Sequence, residues 1–176
     1  MILEHKRFLV IVNNMDKHDG MVGMQFPELR GKTLSGKEMV FPGSVGGLVI
    51  FLVIAFERNA QAQVDSWVEP FAKAFGGAKE CAFFEVPMLA GGWKLFAGYI
   101  DGGMRSGIPA HRHDHVITYY GKLGLYTGAL RMKDRTLCHC FLLDRKGIIR
   151  WTGKGFADAE SLENMLDTTA ALLGGR

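Results

Sequence analysis

The sequence predicts an α/β fold in three layers: a mixed central sheet, helices on both faces, and a β-hairpin near the N-terminus. Three observations lead there. Residues 46–56, GGLVIFLVIAF, are apolar at nearly every position, as in a strand covered on both sides. Strand and helix periodicities then alternate to about residue 104, and such crossovers demand parallel pairing. A tight turn and a closing amphipathic helix follow, which adds antiparallel pairing at the far side.

In chain order, residues 8–12, FLVIV, form a strand-length apolar run. Residues 31–40, GKTLSGKEMV, read as two short strands around the turn Ser35-Gly36, an antiparallel hairpin. After the core strand 46–56, Val64, Trp67, Val68, Phe71, Ala74 and Phe75 recur at spacings of three and four. They predict a helix over 59–75, with Asn59 as its N-cap and Gly76-Gly77 as its stop. Residues 80–88, ECAFFEVPM, read as the next strand. Leu95, Phe96, Tyr99 and Ile100 predict a second amphipathic helix over 93–104. Residues 116–120 and 137–143 are strand-like, and the turn Asp144-Arg145-Lys146-Gly147 joins the latter to a hairpin partner at 148–151. A helix over 158–173 closes the chain, with Asp158 as N-cap and Leu162, Met165, Leu166 and Thr169 facing inward.

Composition narrows the function classes. With 176 residues, 48% hydrophobic and 22% charged, the chain fits one domain over 1–176 with its core at about 26–173. A net charge of +3 spread over interspersed positions makes no stripe for nucleic acid. The longest apolar stretch is about half the roughly 20 residues a membrane-spanning helix needs, so no membrane span is expected. Three cysteines and no recognisable export signal fit a reducing compartment, and the cytoplasm is the expected location.

Three segments resemble known proteins. The opening FPELRGKTLSGK at 26–37 is shared with peroxiredoxins and TlpA-type thioredoxins. Phe56-Glu57-Arg58-Asn59 followed by Ser66-Trp67-Val68-Glu69-Pro70-Phe71, and Phe141-Leu142-Leu143-Asp144 with Gly147, Ile149, Arg150-Trp151, Gly153 and Gly155, are nearer to thioredoxin-like proteins of the ATP10 type, the mitochondrial ATP synthase assembly factors. The resemblance implies a thioredoxin-like three-layer sandwich. It also implies a non-catalytic chaperone or assembly role toward a polypeptide client, and it brings no catalytic residue with it. The chain departs from the family's mitochondrial members in having no Arg- and Ser-rich transit segment.

A thioredoxin-like enzyme keeps its reactive thiolate just after the core strand, where the next helix's N-terminus lowers its pKa. Here that slot reads Glu57-Arg58-Asn59-Ala60-Gln61-Ala62-Gln63, with no thiol. Thiol exchange by the usual geometry is therefore excluded, and Arg58 is left as a binding candidate. Cys138 and Cys140, alternate residues of a strand, share one face with His139 on the other, at a Cα separation of roughly 6.6 Å that makes a disulfide awkward. Under the thioredoxin resemblance, Cys138 would lie near the place of an active-site cis-proline, which makes this pair the redox alternative. Cys81 reads as a core residue. His111, His113 and His115, if extended, would face one way and offer a ligand set for a divalent metal such as zinc, nickel or copper; apart from that, no cofactor is expected. Arg105, Arg112, Arg131, Lys133 and Arg135 make a candidate anion-binding patch, with Arg105 the second binding candidate.

Overall fold

The computed structural model describes residues 20–175. The run at 8–12 lies outside the described residues. A seven-stranded sheet runs through the molecule. Its strands are β1 (Leu29–Thr33), β2 (Glu38–Phe41), β3 (Val49–Ala55), β4 (Cys81–Ala90), β5 (Ile117–Gly121), β6 (His139–Leu143) and β7 (Ile149–Lys154), in the order β2-β1-β5-β4-β3-β6-β7. The helices are α1 (Gln61–Phe75), α2 (Ala97–Gly107), α3 (Leu123–Ala129) and α4 (Ala159–Gly174).

Pairing follows the crossovers. β3, β4 and β5 are parallel, β6 returns antiparallel to β3, and β7 is its hairpin partner. β1 and β2 form the expected antiparallel hairpin, and β1 joins the sheet beside β5. Because β3 is central, alternate residues feed two cores. Ile50, Leu52 and Ile54 pack with Phe26, Phe84, Met88 and Phe141 on one face. Val49, Phe51 and Val53 pack with Trp67 and Phe71 of α1 and Met165 of α4 on the other. Asp158 caps α4, its Oδ1 accepting from the Ser161 amide at 2.9 Å, and Met165 and Thr169 are fully buried.

Three expectations need correction. Helices do lie on both faces, but the first core's helix is α3, through Tyr126, with Leu130 and Met132 just beyond it. The sequence LGLYTGA, with two glycines, hid it. The second amphipathic helix begins as a 3-10 turn over Gly91–Phe96 and buries nothing: Trp93, Leu95, Phe96 and Tyr99 are all exposed. Finally, residues 111–115 are not extended, since Ala110–His115 is a 3-10 helix.

Candidate active-edge site without a thiol

β3 ends beneath the start of α1, and the parallel run β3, β4, β5 makes this edge the place where ligands bind in open α/β sheets. Arg58–Ala60 form a 3-10 turn there that runs directly into α1. Neither helix start has a side-chain cap, so Asn59 does not cap as expected. Two glutamines of the first turn of α1 organise the slot instead. Gln63 accepts from the Cys138 amide at 2.9 Å through Oε1 and donates to the Thr136 carbonyl at 3.1 Å through Nε2. That bidentate contact ties the helix start to the chain entering β6.

Gln61, on the same turn, donates to Asp65 at 3.0 Å and to Glu85 at 3.4 Å. Glu85 projects from the middle of β4, with its side chain 7% exposed, and Arg112 forms an ion pair with it. Val53 faces both Glu85 and Cys140 in register, so carboxylate, valine and thiol make one row under α1. The sequence offers one signal for Glu85, a carboxylate midway along the otherwise apolar run CAFFEVPM. Gln61 and Gln63 offered none, because an amide in a helix's first turn reads as a solvated residue.

Cys138 and Cys140 share one face, as their spacing predicted, and both are fully buried. The Cys140 thiol hydrogen-bonds to Cys138 and holds it below the ordinary thiol range, while burial pushes Cys140 well above it. Cys138 also donates from Sγ to the Gly155 carbonyl at 3.3 Å, a bond that only the protonated thiol makes; Trp67 Nε1 donates to the same oxygen at 2.7 Å. No cis-proline stands beside Cys138; among the described residues the cis bond is Phe41–Pro42. Cys81 lies at the far end of β4, half-buried, its thiol pushed up to about 11 by burial.

The histidines do not converge. At about three residues per turn, alternate side chains of a 3-10 helix point apart. His113 Nε2 bonds the Ile108 carbonyl at 2.8 Å, and His115 Nδ1 bonds the Phe83 carbonyl at 3.0 Å with its ring stacked on Phe83. Among the described residues no three His, Cys, Asp or Glu side chains are placed to hold a metal ion. The segment is also tied to the β1–β2 turn: Asp114 accepts from Ser35 and from Lys37 Nζ, the latter at 2.7 Å, and these bonds hold its carboxyl below the usual range. The binding candidates are not brought together: Arg58 is exposed just beyond the end of β3, whereas Arg105 donates to the Leu34 carbonyl at 3.1 Å beside β1, three strands across the sheet; Arg112 of the basic patch is paired with Glu85.

Fold and slot together define a domain of the thioredoxin architecture whose slot after β3 carries Gln61 and Gln63 and no thiol. The model of the ATP10 protein family matches residues 20–172, and the chain belongs to that family. No curated protein sequence matches it. Solved structures share its fold at low identity. One described as the thiol:disulfide interchange protein DsbE from Chlorobium tepidum is 18% identical at a TM-score of 0.62, covering 87% of this chain and 98% of that one. An uncharacterised conserved protein from Geobacillus kaustophilus is 15% identical at 0.60, covering 88% and 83%. The exposed lipoprotein thioredoxin of Streptococcus pneumoniae is 12% identical at 0.56, covering 80% and 98%.

Proposed function

We propose that this protein is a non-catalytic thioredoxin-like assembly factor, acting by binding a polypeptide client of the ATP synthase rather than by exchanging thiols. The observation that carries the reading is the Gln63 clamp on Thr136 and Cys138, which occupies the edge where a thioredoxin works, while the slot holds no thiol and both nearby cysteines are buried. Membership of the ATP10 family supplies the client class. Thiolate chemistry needs an accessible, ionised sulfur, and Cys138 is neither exposed nor free of its bond to Gly155.

The test is complementation. Deleting the gene in its host should deplete assembled ATP synthase, read by native gel and ATP hydrolysis in membranes. A variant with Cys81, Cys138 and Cys140 all changed to Ser should restore it as well as the wild type does. Unchanged ATP synthase after deletion would overturn the assembly role. Failure of the thiol-free variant, with its fold intact by circular dichroism, would favour the second reading, a thiol oxidoreductase working through the hydrogen-bonded pair Cys138 and Cys140.

A further inference from the structure

One surface remains outside that reading. Residues 91–96 are exposed without exception, and the face continues onto α2. In a 3-10 turn residues three apart lie one above the other, so Trp93 and Phe96 follow one line, their rings 6.1 Å apart, and Tyr99 stands beyond them on the first turn of α2. Leu95 is 91% exposed and Tyr99 87%, so these side chains stand clear of the surface and do not line a groove. A second segment adjoins them: Ala90 pairs with Gly121, and α3 starts two residues later with Leu125 exposed on its first turn.

The charges on the same two segments have one sign. Residues 86–100 and 115–133 contain no carboxylate, while Lys94 and Lys122 stand within them and are exposed. The next acid, Asp101, is engaged by the Tyr120 hydroxyl at 2.7 Å. On the neighbouring strand end Arg58 and Glu57 offset each other. Protruding Trp, Phe, Leu and Tyr side chains interleaved with lysines, on a face without carboxylates, are the chemistry of insertion into an anionic headgroup region. Among the described residues no helix is long and apolar enough to cross a membrane, so contact of this kind is peripheral.

We propose that this end of the molecule docks on an anionic lipid surface, Trp93, Leu95, Phe96 and Tyr99 entering the interfacial layer while Lys94 and Lys122 meet the headgroups. The experiment uses the whole chain with vesicles of phosphatidylcholine, alone or mixed with phosphatidylglycerol, read by flotation and tryptophan emission. Trp67 and Trp151 are buried, so Trp93 reports the contact, and Trp93→Phe identifies its signal. The protein should float with the anionic vesicles and its emission should shift to the blue. Leu95→Asp should abolish both with the thermal melt unchanged, and Lys94→Glu should weaken partitioning by about tenfold or more. Four results would overturn the proposal: no flotation, flotation that Leu95→Asp leaves intact, equal binding to both vesicle types, or a Trp93 emission already blue in dilute buffer. The last would mean that this chain or a second copy covers the face. A blue shift given by an apolar peptide but not by vesicles would assign the face to a polypeptide instead.

Discussion

Two helices follow consecutive parallel strands, and the molecule treats them in opposite ways. α1, after β3, buries Val64, Trp67, Val68 and Phe71 against the sheet. α2, after β4, buries nothing. Intrinsic propensity favours neither: α1 carries Pro70 in its interior, a handicap of roughly 3 kcal/mol, and α2 carries four glycines in eleven residues. The first is rescued by apolar burial at about 1.5–3 kcal/mol for each large side chain. The second is held by polar ties at its rim, Asp101 to Tyr120 and Arg105 to the Leu34 carbonyl. An apolar stripe therefore records what a helix offers, not whether the fold accepts it.

The largest expected effect breaks the buried half of that contrast. Trp67→Ala removes a fully buried ring packed 5.3 Å from Trp151 and leaves the Gly155 carbonyl short of a donor. It should cost about 3–5 kcal/mol in urea or guanidinium denaturation. A loss below about 1 kcal/mol would mean that α1 is not anchored through this core. Next, Arg112→Met strands the Glu85 carboxylate beneath α1, since Glu85 is the more buried partner of their pair. Removing one member of a buried pair costs about 3 kcal/mol, and Glu85→Gln in the same chain should recover part of it. A double variant no better than the single one would show that the pair does not couple the two elements.

Much of the fold is readable in the sequence. The central strand is legible in its unbroken apolar run, α1 and α4 in their periodic apolar faces, and the hairpins in their turn residues. The shared face of Cys138 and Cys140 follows from alternation along the extended chain that enters β6. The slot was legible as an absence, with no thiol among residues 57–63. What fills it was not, because Gln61 and Gln63 acquire their roles from Glu85, Thr136 and Cys138, up to 75 residues away. The histidine segment misled for a related reason: spacing alone assumes an extended chain, and a 3-10 turn of the same residues turns alternate side chains apart. α3 escaped because its one buried residue, Tyr126, gives no period.

Smaller effects sharpen the exposed half. Tyr120→Phe deletes the hydroxyl that donates to Asp101, one of the two rim ties of α2, and should cost about 1 kcal/mol. Burial first, and then the Asp101 carboxylate, raise the Tyr120 pKa above its ordinary value. A raised pKa means that the tie contributes fully below the unfolded-state value of about 10 and is lost as pH rises through the folded-state one. The gap between wild type and Tyr120→Phe should therefore be constant from neutral pH to about 9 and close only in strong alkali. A gap that closes between pH 5 and 8 would implicate another group.

Gly102→Ala carries the smallest effect and the opposite sign. A Cβ at Gly102 would meet nothing within 4 Å, and its backbone is helical, so the glycine serves neither packing nor a left-handed turn. Alanine should then stabilise α2 by about 0.5–1 kcal/mol through the entropy of the unlocked chain. Native-state hydrogen exchange would register this as slower exchange of the α2 amides, with those of α1 unchanged, because α2 opens locally while α1 opens only with the core. Equal slowing in both helices would mean that α2 belongs to the cooperative core after all, and that its exposed face is no separate element of the fold.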